Sequence, residues 1–208
     1  TGSTIDMTNT GSSMSYINVG NNPINNLDMH CAQGSELAVM QSELTVMGNF
    51  NFSPRMSNSN GLSGKPGGGT KIKVYGNFEM DGGNFDNTVA YSYPEIWMVG
   101  TGNQTITGHY NEWQTWRSGK TQESCYQVNY ATTPPTYTPG CTVNAGLWGS
   151  IVIDKAGGQV NLVGGIQLAG NGRFEVVNGT VNAGTSKLIS SHPTSTHIKA
   201  PGVVFNDL

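Results

Sequence analysis

Six aromatic residues crowd one stretch of the chain: Tyr110, Trp113, Trp116, Tyr126, Tyr130 and Tyr137. Aromatic faces stack on sugar rings and fill pockets on partner proteins, which makes this group the leading binding candidate. The plainer alternative is that Trp113 and Trp116 pin the segment onto the body of the protein. The same stretch carries Cys125 and Cys141, which bracket a loop rich in Pro and Tyr. A disulfide between them would stabilise by roughly 3 kcal/mol through the unfolded chain's lost entropy, and it implies an oxidising compartment. Cys31 is then left over, as a buried thiol in a strand or as the partner of a cysteine on another chain.

Other chemical candidates are weaker. The run Asp81-Gly82-Gly83-Asn84-Phe85-Asp86-Asn87 gathers hard oxygen ligands around glycines, so Asp81 and Asp86 form a weak calcium candidate beside the simpler reading of a turn. Gly64-Lys65-Pro66-Gly67-Gly68-Gly69-Thr70-Lys71 resembles a phosphate loop only superficially, because it lacks the Gly-Lys-Ser/Thr ending and a following helix. His109 with Glu112, and His192 with His197, have no diagnostic spacing. No Cys-x-x-Cys pair, nucleophile elbow or paired-carboxylate site stands out. The expectation is therefore a protein that is not an enzyme, with no catalytic residues, metal or cofactor. Asn51, Asn103 and Asn178 head N-glycosylation patterns, as chance allows in so Asn-rich a chain.

Charged residues make up 11% of the 208 residues, well below the roughly 25% of an average globular protein. Their place is taken by Gly, Asn, Ser and Thr, a polar but uncharged composition that suits secreted β-rich surface proteins. The net charge of −3 gives no basic stripe with which to hold nucleic acid. No apolar run approaches the ~20 residues that span a bilayer. No basic-then-apolar leader opens the chain, and its first and last residues suggest a processed protein or a piece of a longer one.

The elements that must position these residues are read from period-two alternation. Leu37-Val39, Leu44-Val46, Ile72-Val74, Val160-Leu162, Ile166-Leu168 and Phe174-Val176 alternate apolar and polar, and no segment has helical periodicity. Gly and Asn between them supply tight turns. Residues 24–53 and 147–176 share one layout of strand, turn, strand and Gly-Asn turn, with Leu27 set on Ile151 and Leu44 near Ile166. Ile72–Phe78 is a partial further copy, and Val203–Leu208 repeats the block's opening. Repeated strand-turn units predict stacked rungs. The fold expected is all-β, a parallel β-helix or β-solenoid-like array, single and elongated over 1–208. Loop insertions are placed at 53–70 and at 109–146, the second stapled by the disulfide.

Gly100–Gly108, Ile151–Val160, Ile166–Gly172, Gly179–Gly184 and Phe205–Leu208 resemble the extracellular repeat regions of adhesins from Bacteroidota-type bacteria, exported by the type IX system. The resemblance covers about 60% of the chain, and the segment 109–146 departs from it. It implies a right-handed parallel β-helix or related solenoid outside the cell. The function expected is that of an extracellular structural or adhesive surface protein, with a carbohydrate-binding or polysaccharide-cleaving β-helix as the alternative. A phage or host-recognition fibre segment is a third reading. Partners would be further copies, flanking repeats of a longer chain, or surface glycans. Val203, Val204, Phe205 and Leu208 are expected to form an assembly strand that completes the first rung of the next copy, received by Ile5, Met7, Met14, Tyr16 and Ile17.

Overall fold

The structure, a computed structural model, describes residues 3–9, 14–31, 37–52, 61–63, 70–80, 94–109, 126–129, 136–139, 150–168, 172–190 and 196–205. In chain order the strands begin with β1 (Thr4–Asn9), β2 (Met14–Ile17), β3 (Asn26–Cys31), β4 (Leu37–Met40), β5 (Leu44–Val46) and β6 (Phe50–Phe52). They continue with β7 (Gly61–Ser63), β8 (Lys71–Val74), β9 (Phe78–Met80), β10 (Glu95–Met98) and β11 (Gln104–His109). A hairpin follows, β12 (Tyr126–Asn129) with β13 (Thr136–Pro139). The chain then runs through β14 (Ser150–Leu168), β15 (Arg173–Asn182), β16 (Lys187–Ser190) and β17 (His197–Lys199).

Apart from the hairpin, every paired strand is parallel to its neighbour. One face of the stack is built from β5, β8, β10, the start of β14, the start of β15 and β17. A second face is built from β1, β3, β6, β9, β11, the middle of β14 and the end of β15. A third holds β2, β4 and β7, and further along the end of β14 with β16. A chain that visits the faces in turn and lays each strand on the previous rung is a β-solenoid, as the repeats predict. Residues 53–70 contain a strand of the third face, β7, and residues 109–146 contain the hairpin.

Alternation decides which side chains enter the core. Leu44, Ile72, Ile96, Ile151 and Phe174 form one inward column, and Leu27, Phe50, Phe78 and Ile106 another, all fully buried. Like lies on like, so Phe50 stacks on Phe78 with ring centres 5.3 Å apart. Each such side chain contributes roughly 1.5–3 kcal/mol on burial. These columns correct the repeat alignment: Ile151 lies above Leu44 on the first face, whereas Leu27 lies on the second. A short alternating strand looks the same on any face, so the pattern identifies strands but not the face they occupy.

Glycine is required where rungs touch. The corner Tyr75-Gly76-Asn77 lies on Met47-Gly48-Asn49, with the Gly76 N–H donating to the Gly48 carbonyl at 2.9 Å. A Cβ on Gly76 would land on that carbonyl. Where the second face meets the third, Gly164 has a φ of 73° and backs onto the Gly108 carbonyl.

Gly76→Ala should therefore lower stability by about 2 kcal/mol or more, as overpacking does. Gly102→Ala, whose Cβ would meet nothing within 4 Å and whose φ is ordinary, should cost a small fraction of that. Denaturation midpoints of the two variants check this, and equal midpoints would show that the rungs can spread.

Candidate functional site

At the corner between the first and second faces the backbone leaves the ladder, and the N–H of the residue after the turn needs an acceptor. Asparagine supplies it from the rung before. Asn26 Oδ1 accepts from the Asn49 N–H, Asn49 Oδ1 from the Asn77 N–H, and Asn77 Oδ1 from the Thr105 N–H, each at 2.9 Å. The next corner is longer, and Asn103 Oδ1 accepts from the Gln159 N–H at 3.0 Å. The Asn-rich turns are thus a ladder of side-chain amides and not only positions of permissive backbone.

Inside that corner lies a polar chain. Gln104 and Lys155 are 1% and 3% exposed. Gln104 Nε2 donates to the carbonyls of Val74 and Gly76 at 2.9 and 2.6 Å, and its Oε1 accepts from Lys155 Nζ at 2.5 Å. One glutamine therefore ties three rungs together. Burial lowers the Lys155 pKa from its ordinary value, because the ammonium has left water.

The outer surface of the first face is lined by ion pairs. Arg173 reaches across Ser150 on the intervening strand to Glu95, 2.8 Å away, and also meets Glu175 at 3.1 Å. Lys199 Nζ donates to Glu175 at 3.0 Å. Trp97 Nε1 donates to Glu95 at 2.9 Å, while the Lys71 ammonium sits 3.8 Å over the Trp97 ring. The hydrogen bond from Lys199 is the main reason the Glu175 carboxyl lies below its ordinary range, with charge attraction from Lys199 and Arg173 assisting against a desolvation penalty. The ion pairs and hydrogen bonds of Glu95 and Glu175 thus tie neighbouring strands together on this face.

The residues singled out from sequence are placed only in part. Tyr126 is in register with Pro139, and Tyr137 with Val128, in the β12–β13 hairpin. Tyr110, Trp113, Trp116 and Tyr130 lie outside the described residues, as do Cys125 and Cys141, the calcium candidates Asp81 and Asp86, and Leu208. Cys31 closes β3, opposite Asn9. Val203 and Phe205 are partly buried against the core, with the Phe205 ring edge-on to Phe174 at 5.9 Å, while Val204 is 86% exposed. Among the described residues, no group of three His, Cys, Asp or Glu side chains is placed to hold a metal ion. Nor is any described helix long and apolar enough to cross a membrane. Asn51 and Asn178, which head two glycosylation patterns, give their Nδ2 groups to Asp28 and Asp154 at 2.5 and 2.7 Å.

Sequence reasoning missed Gln104 and Lys155, because Gln and Lys read as outward residues on an alternating strand. A signal was present: Gln104 occupies the inward phase set by Ile106. No family model, no curated protein and no solved structure matches this chain.

The Lys155 amine keeps its ordinary affinity for protons in the unfolded chain, so between its lowered folded value and 10.5 the unfolded state binds more of them. Stability contributed at this site should accordingly rise as pH climbs through that window. The gap in denaturation midpoint between Lys155→Met and the parent should shift in the parent's favour as pH is raised. A gap that is flat with pH would show that Lys155 ionises as freely as in water.

Proposed function

We propose that this protein is an extracellular structural and adhesive component of a bacterial surface, a rod whose copies join end to end. The observation that carries the reading is the open ladder at each end of the described stack. There β1 pairs only with β3, β2 only with β4, and β17 only with β15. Ladder edges of this kind can pair with a further strand. The low charge and the self-neutralising ion pairs support a surface that packs beside its own kind. In the filament, residues 203–208 of one copy complete the first rung of the next, and Phe205 moves from beside its own Phe174 to the neighbour's core. The disulfide between Cys125 and Cys141 belongs to this extracellular setting.

Negative-stain microscopy of unreduced protein should show long uniform filaments, and a chain lacking residues 203–208 should give separate rods. Rods from the full chain would overturn the filament. Filaments from the truncated chain would overturn the strand exchange. Mass measurement after thiol alkylation should find Cys125 and Cys141 protected and Cys31 modified once the chain is unfolded.

A further inference from the structure

The amide ladder has a second face. The Oδ1 atoms of Asn49 and Asn77 are each fixed by a backbone N–H of the next rung. Their Nδ2 groups have no partner among the described residues, and both side chains are exposed. The result is two amide donors at exposed positions on adjacent rungs, anchored through Oδ1 and set at the strand spacing, about 4.8 Å. Holding a donor still in the free protein removes part of the entropy cost of binding.

Beside these donors runs an apolar row. Met47 and Tyr75 stand two residues before Asn49 and Asn77, on the same stacked corners, and remain exposed, Tyr75 at 42%. The next corner lies against Tyr75: a Cβ on Gly100 would stand 3.1 Å from the ring, a tight contact, so the glycine gives the ring room to lie close. The three corners, 47–49, 75–77 and 99–103, carry no charged side chain.

From this geometry we infer that the corner binds a neutral polysaccharide laid along the solenoid axis. A sugar chain offers hydroxyl acceptors at a repeat of the same order as the strand spacing, and its C–H faces stack on an aromatic ring. Neutrality follows from the corner, whose turns have no charged side chain: of the flanking groups, Lys73 is already paired with Glu43 at 3.6 Å, and the exposed Glu79 would repel a uronate or sulfate. The site is separate from the aromatic segment at 109–146. The inference rests on the adhesive reading, to which it adds the ligand.

The test is native affinity electrophoresis of the full chain in gels cast with hydroxyethylcellulose, galactomannan or polygalacturonate. The neutral polymers should retard the protein and polygalacturonate should not. Two variants follow. In Asn49→Asp with Asn77→Asp, a carboxylate oxygen still accepts the backbone N–H, so the ladder is kept while the amide donors are lost. Tyr75→Ala removes the ring and leaves the ladder alone. Each should weaken retention about tenfold, the effect of one or two lost contacts, with an unchanged circular dichroism spectrum. No retardation by either neutral polymer, retardation by polygalacturonate alone, or undiminished retention in Tyr75→Ala would overturn the site. Microscopy of the same sample separates the two proposals: filaments without retention remove the glycan and leave the surface rod, and retention without filaments removes only the polymer.

Discussion

Every strand of this solenoid takes its position from the strand one rung away, and that register is the constraint on which the rest depends. Side chains alternate with a period of two, so a slip of one residue would turn a whole inward column to solvent. The corner asparagines oppose such a slip directly. Asn49 can accept the Asn77 N–H only when Phe50 lies beneath Phe78, and the same alignment places Gly76 on Gly48, where a side chain could not be accommodated. Apolar stacking, amide bonding and backbone contact therefore all select one register.

The exceptions occur where the corner changes length. The turn from β8 to β9 uses three residues, Tyr75–Asn77, and the next, from β10 to β11, uses five, Val99–Asn103. Rungs of unequal perimeter cannot meet their neighbours' backbone everywhere. Gln104, set over Gly76, reaches down to the Val74 and Gly76 carbonyls, and Lys155 from the rung above satisfies the remaining oxygen of its amide. A buried amide and ammonium are costly unless paired, and here the pairing converts an irregular corner into a cross-tie through three rungs. On the outer surface Arg173 does the equivalent work because Ser150 is small enough to be bridged.

This division explains what the sequence made legible. Alternation at Ile72-Val74 or Phe174-Val176 was sufficient for strands, and repetition of strand-turn units was sufficient for a solenoid. Alternation contains no label for the face, so aligning the repeats sets Leu27 on Ile151, although its column holds Phe50 and Phe78. Lys155 follows the inward Ile153 in phase, yet hydropathy places a lysine outside; its burial depends on a glutamine fifty-one residues earlier. Interactions of that range lie beyond any window read along the chain. Of the aromatic candidates, Tyr126 and Tyr137 were separated by ten residues of sequence that closes into a hairpin.

A solenoid also changes what a binding site is. In a globular fold, loops converge to enclose a ligand, and affinity comes from enclosure. Here the equivalent positions of successive rungs form rows, and each contact along a row is weak and open to water. Affinity for the proposed polysaccharide would then come from number: once one sugar was held, the next would meet its donor at a high effective concentration set by the fixed strand spacing. Low charge is consistent with that design, since contacts between uncharged groups are little affected by the salt that screens exposed ion pairs. A rod joined end to end would extend the row, so assembly and adhesion would draw on the same register.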